Sequence, residues 1–214
     1  MTQPIDSSSS TSAPRAWEPT HPREAARLFA SLTSRWWIAG GWALDLFMGM
    51  ESRPHGDLDI GVLRREAAQV IEALRDWELF EAQDGRLLRL HQREPRPQVN
   101  SLWCRPRGGS RWVFELLLDD SDGEAWVFRR QRDIRRPLAA AIRCDRTRIP
   151  YLAPEIGLLY KAQRPRAGDE LDFRNVAPRL DDGARAWLHD ALTRIEPDHP
   201  WLEALAATRG KEYA

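Results

Sequence analysis

Residues 36–60 read Trp36-Trp37-Ile38-Ala39-Gly40-Gly41-Trp42-Ala43-Leu44-Asp45-Leu46-Phe47-Met48-Gly49-Met50-Glu51-Ser52-Arg53-Pro54-His55-Gly56-Asp57-Leu58-Asp59-Ile60. An apolar run suited to a short buried strand leads into a Gly-Gly turn, a short helical stretch and a second strand-like run. Because Gly40 and Gly41 carry no Cβ, their backbone N–H groups can come close to a triphosphate, which makes the turn a candidate phosphate cradle. In Asp57-Leu58-Asp59-Ile60-Gly61-Val62 the alternation of a strand puts both carboxylates on one face and Leu58 and Ile60 on the other. Carboxylates so placed suit a hard cation such as Mg2+, which prefers oxygen ligands and shares them with substrate phosphates.

The 214-residue chain is long enough for one large domain or two small ones. Its apolar runs fall short of the roughly 20 residues that a spanning helix needs. The first 16 residues lack the basic start and apolar middle of a secretory signal, so no membrane partner and a cytoplasmic location are expected. Basic and acidic residues both number 32, so the global positive field of a protein whose main ligand is nucleic acid is missing and a small ligand fits better. Cys104 and Cys144 form no Cys-x-x-Cys pattern; a disulfide framework or zinc site has little support, and two buried thiols are expected. Most of the ten tryptophans, Trp36, Trp37, Trp112 and Trp126 among them, lie in strand-like runs and are expected in the core.

Residues 1–16, with Ser7-Ser8-Ser9-Ser10 and little apolar content, are expected to form a disordered tail. A helix is expected over 20–33, capped near Thr20 with Pro22 in its first turn, and a second over 66–77 with Ala67, Val70, Ile71 and Leu74 at helical spacing. Between them the Asp pair is expected inside a strand over 57–63. The middle reads as hairpins, with strands over 78–82, 86–91, 100–104 and 111–118. In the last of these Glu115 is the odd residue on a face it shares with Val113 and Leu117, because a carboxylate in an apolar strand is costly to bury unless paired or bound to metal. An edge glutamate facing water is the plain alternative, and Asp119 and Asp120 at the strand end are weaker candidates for the same part. From Pro154 onward the pattern is helical, which divides the chain into a domain over 17–149 and a small helical one over 150–214.

Ala39-Gly40-Gly41 followed by Asp57-Leu58-Asp59-Ile60 resembles the signature of the nucleotidyltransferase superfamily. The form Gly-Gly-Trp-Ala-Leu-Asp, with Arg53 and His55 ahead of the aspartates, is most similar to the aminoglycoside 2″-nucleotidyltransferases and the similar lincosamide enzymes. The segment 151–173, with Lys161 on a helix and Asp169 and Asp172 at a helix start, resembles the C-terminal block of that family, so the likeness covers roughly residues 35–200. Gly56 departs from the aminoglycoside members, many of which carry an acidic or polar residue there.

The resemblance implies an α+β fold, a nucleotidyltransferase-type mixed sheet with flanking helices followed by a small C-terminal helical part. It implies Mg2+-dependent transfer of AMP from ATP to a hydroxyl of a small molecule, aminoglycosides among the acceptors, with release of pyrophosphate. Asp57 and Asp59 would hold the metal, and Glu115 would be the third acid, as ligand or as base. Gly40, Gly41, Arg53 and Lys161 would serve the nucleotide, while His55 would fix the loop. Lys161 reads equally as a surface lysine, and Asp169 and Asp172 either cap their helix or form a carboxylate surface for a polycationic acceptor. A toxin-like nucleotidyltransferase acting on tRNA or protein, and a silent nucleotide-binding module, are the competing functions.

Overall fold

The computed structural model describes residues 16–92 and 94–207; the tail expected over 1–16 lies outside them except for Ala16. In chain order the elements are α1 (Pro22–Leu28), β1 (Trp36–Ile38), α2 (Gly40–Met48), β2 (Asp59–Leu63), α3 (Ala67–Ala73), β3 (Trp77–Gln83), β4 (Arg86–Arg89), β5 (Ser101–Pro106) and β6 (Phe114–Asp122). There follow β7 (Ala125–Val127), β8 (Arg135–Pro137), α4 (Leu138–Ala141), β9 (Ile142–Cys144), β10 (Pro150–Leu152), α5 (Pro154–Ala162), α6 (Ala167–Val176), α7 (Asp182–Ile195) and α8 (Trp201–Ala207). β1 pairs with β10 in parallel, whereas β9–β10, β3–β4, β3–β5 and β5–β6 are antiparallel, which makes the fold α+β with mixed strand pairing.

Two compact units emerge among the described residues, and neither follows the chain end to end: one takes residues up to 36 and 56–118, the other residues 37–55 and those from 119 onward. The boundary expected near residue 150 therefore falls inside the second unit.

In the first unit β4, β3, β5 and β6 form an antiparallel sheet, with β2 beside β6. Register brings Leu79, Cys104 and Phe114 together across β3, β5 and β6, and all are buried. Phe29, just past α1, packs its ring 5.8 Å from Phe114 in an edge contact, which closes one face of the sheet with aromatic surface. The other face carries Phe80, Trp103 and Glu115 in register, each only partly covered. Helix α1 is shorter than expected, and its cap is His21, whose Nδ1 accepts from the Arg23 N–H at 3.2 Å. Strand β2 begins at Asp59 rather than at Asp57, so the first aspartate stands just ahead of the strand.

In the second unit β10 lies between β1 and β9, with Ile38 opposite Tyr151 and Tyr151 opposite Arg143. The end of β6 from Asp119 onward pairs with β7, and β7 with β8. Helices α2 and α5 pack so closely that a Cβ on Gly157 would stand 3.3 Å from Leu44 Cδ2. Glu155, fully buried in the first turn of α5, is held by Arg136 at 2.6 Å and Arg143 at 3.2 Å, which supplies the pairing that a buried carboxylate needs. Cys104 is buried as expected, but Cys144 is exposed, because β9 is a three-residue strand at the end of its sheet. Among the described residues no helix is long and apolar enough to cross a membrane.

Candidate active site

Gly40 opens α2 with φ 61°, a left-handed conformation that L side chains rarely adopt, so glycine is required where β1 turns into the helix. Gly41 is needed for a different reason. A Cβ there would stand 2.5 Å from His55 Cε1, 2.6 Å from His55 Nδ1 and 2.7 Å from Arg53 Nη2, so the place above this glycine is taken by side chains of the chain's own 52–55 loop. His55 is fixed in turn. Its Nε2 donates to Asp45 Oδ2 at 2.6 Å, and its ring lies 4.5 Å from that of Trp42. Asp45, buried on α2, also accepts from Ser52 Oγ at 2.6 Å, so one carboxylate anchors the loop at both ends.

The second part of the second unit's charge structure joins three elements. Arg53 gives Nε and Nη2 to the two oxygens of Asp172 at 2.9 and 3.0 Å, the forked geometry in which guanidinium and carboxylate match. Lys161 Nζ, near the end of α5, lies 2.8 Å from Asp169 Oδ1 and 3.0 Å from Asp172 Oδ2. The other oxygen of Asp169 accepts from the Arg166 backbone N–H and from Arg166 Nε, so this residue caps α6 while it pairs with Lys161. Both aspartates are buried, at 6% side-chain exposure for Asp169 and 2% for Asp172, whereas Arg53 keeps 25% and Lys161 12%. Burial alone would push the Asp169 carboxyl up, but hydrogen bonds from Lys161 and Arg166 outweigh it and hold it at about 2. Burial likewise opposes ionisation of Asp172, and Arg53 and Lys161 together keep its carboxyl below the ordinary value. The Asp172 hydrogen bonds raise Arg53 in return.

In the first unit Leu58 is fully buried, whereas Asp57 is exposed and Asp59 half-buried, so both carboxylates that flank Leu58 stay outside the core that takes its side chain. Glu115 on β6 is their neighbour through the backbone: its N–H donates to the Leu58 carbonyl at 2.8 Å. The Glu115 carboxylate accepts the Ser101 hydroxyl from β5. Among the described residues no three His, Cys, Asp or Glu side chains gather into a metal cluster. The chemistry of the carboxylates of Asp57 and Asp59 would suit Mg2+ shared with phosphates rather than a cage built wholly of protein.

Asp119 is the acid whose weight the sequence understates. It lies two pleats beyond Glu115 on β6 and is 4% exposed. Burial pushes its carboxyl up to about 6, although the Arg129 charge and the Tyr160 hydroxyl, 3.2 Å away, pull the other way. Its burial at a strand end could not be read from alternation; the strand signal available was only its position on the Glu115 face.

Residues 23–110 match the sequence model of the family described as aminoglycoside-2″-adenylyltransferase. Among curated proteins none matches. The lincosamide antibiotic adenylyltransferase LnuA, solved with lincomycin bound, is similar with a TM-score of 0.50 at 17% identity, over 72% of this chain and 92% of its own. ANT(2″)-Ia in complex with adenylyl-2″-tobramycin gives 0.45 at 13% identity over 87% and 92% of the two chains. An antigenic nucleotidyltransferase-like protein from Paracoccidioides brasiliensis gives 0.47 at 19% over 86% and 89%. The likeness to LnuA is one of fold, α+β with mixed strand pairing and flanking helices.

Proposed function

We propose that this chain is a nucleotidyltransferase of the aminoglycoside and lincosamide type and that it transfers an adenylyl group from ATP to a hydroxyl of a small aminoglycoside-like acceptor, a reading supported by the match of residues 23–110 to the aminoglycoside-2″-adenylyltransferase family. The observation that carries this reading is that Asp57 and Asp59, inside the matched residues 23–110, both remain outside the core that buries Leu58 between them. Asp57 and Asp59 would hold Mg2+, which supplies charge neutralisation and orientation at the phosphates.

The acceptor oxygen attacks the α-phosphorus, the bond from that phosphorus to the bridging oxygen of the β-phosphate breaks, and pyrophosphate leaves with the electron pair. The acceptor's proton goes to a carboxylate of the chain. Glu115, whose N–H is bonded to the Leu58 carbonyl, supports the Asp pair as the third acid. Arg53 and Lys161 supply positive charge to the phosphates, and Asp169 and Asp172 take the ammonium groups of the acceptor.

The test is a pyrophosphate-release assay with Mg2+, each of the four common nucleoside triphosphates, and tobramycin, lincomycin or tRNA as acceptor. Release that needs both ATP and an antibiotic is expected. Release only with tRNA would transfer the reading to a macromolecular acceptor, and no release with any pair would overturn it.

A further inference from the structure

Arg53, Lys161, Asp169 and Asp172 form a network of two cations and two anions, to which Arg166 adds a third cation at Asp169, so the groups proposed for a triphosphate and those proposed for an acceptor are paired with each other. Lys161 has three N–H donors, and the two carboxylates occupy two of them. Arg53 spends two N–H groups on Asp172 and a further one, from Nη1, on the Pro54 carbonyl at 3.2 Å. Lys161 keeps one N–H and Arg53 two for other acceptors, and turning the donors now spent on the carboxylates to phosphate oxygens as well loosens their hold on the aspartates. Asp172, at 2% exposure, has almost no water to replace them, and a buried carboxylate stripped of its partner is strongly unfavourable. The replacement must therefore be another cation with N–H donors. The reverse also holds: ammonium groups that engage Asp169 and Asp172 release Arg53 and Lys161 toward an anion.

We propose that this four-residue ion-pair network is an exchange device, through which a polyphosphate donor and an amine-bearing, cationic acceptor each raise the other's affinity. The inference rests on the adenylyl-transfer reading and deepens it, since it fixes the acceptor's charge class and couples the two ligands. An uncharged acceptor gains nothing from the exchange. Coupling of this kind is reciprocal: the factor by which the anion tightens the acceptor equals the factor by which the acceptor tightens the anion, commonly about 5- to 150-fold.

Titration calorimetry on the full chain tests it, with tripolyphosphate and α,β-methylene-ATP as anionic probes, tobramycin as the cationic probe and fully N-acetylated tobramycin as its uncharged counterpart. Either anion should lower the Kd of tobramycin by about tenfold. Tobramycin should lower the Kd of the anion by the same factor, and the acetylated compound should show no such effect. In Asp172→Asn the coupling should fall to within about twofold of unity, while the anion alone binds more tightly because its cations are freed. Asp169→Asn, which leaves the Arg53 fork intact, should lose part of the coupling and serves if the first variant does not fold. Coupling near unity in the wild type with α,β-methylene-ATP bound, equal coupling for the acetylated compound, or weaker anion binding in Asp172→Asn would overturn the exchange and make the aspartates a scaffold for the cations. Failure of α,β-methylene-ATP to bind at all would overturn the adenylyl-transfer reading itself, and this inference with it.

Discussion

His55 Nε2 sits 2.6 Å from Asp45 Oδ2, with side-chain exposures of 3% and 4%, so the loop that leads to Asp57 is pinned to α2 by a buried polar pair. Asp45 accepts two hydrogen bonds, and its replacement leaves the His55 ring and the Ser52 hydroxyl without their acceptor. Asp45→Ala should lower unfolding stability by about 1–3 kcal/mol, the usual cost of orphaning buried polar groups. Urea denaturation measures it, and a loss under about 0.5 kcal/mol would show that the pair does not anchor the loop.

Gly41 lies under the same ring. A methyl group there meets His55 at 2.5 Å, and the ring cannot swing away without giving up Asp45. Gly41→Ala should therefore destabilise by about 1–3 kcal/mol, as overpacked sites do. Combined with His55→Ala it should cost clearly less than the sum of the single changes, since the clash and its target are removed together. Additivity within about 0.5 kcal/mol would exclude the close approach as the reason for glycine.

Asp57 and Asp59 differ in exposure but both flank the buried Leu58. Neither Asp57→Asn nor Asp59→Asn should disturb the fold, yet each should lower adenylyl transfer by at least about a thousandfold if the pair holds a metal worth several kcal/mol to the reaction. Circular dichroism and pyrophosphate release, measured on the same preparations, separate the two effects. Turnover within tenfold of wild type at saturating Mg2+ would remove the pair from the metal site.

What the sequence made legible is mostly local. The burial of Leu58 and Ile60 followed from alternation, and the start of α2 from the glycines after an apolar run. Strands β7 to β10 were not visible, because three-residue strands are too short to show a period. The choice between Glu115 and Asp119 had the same limit: both stand on one face of β6, and only packing decides that Asp119 is the buried one. Arg53 and Asp172 are 119 positions apart, and Lys161 reaches Asp169 only through the path of the α5–α6 loop. Chemistry named these residues as candidates, but their mutual pairing belongs to tertiary structure.

Asp119 provides a pH-dependent readout that needs no ligand. Burial lifts its carboxyl from 3.8 to about 6, so the folded state holds this proton more tightly than the unfolded state does. Below the unfolded value both states are protonated and the residue contributes nothing to the pH dependence. As pH rises from about 4 to about 6 the unfolded chain ionises first, stability falls, and above about 6 the full penalty applies, at most about 3 kcal/mol for a shift near two units. Asp119→Asn cannot ionise, so relative to wild type it should gain stability steadily between about pH 4 and 6 and hold a constant difference above. Urea unfolding of both proteins across that range measures the gain without reference to the constant effect of the substitution. A difference that stays flat from pH 4.5 to 7.5, or that moves in the opposite sense, would mean that Asp119 is ionised in the folded protein and is not the carboxyl with the raised pKa.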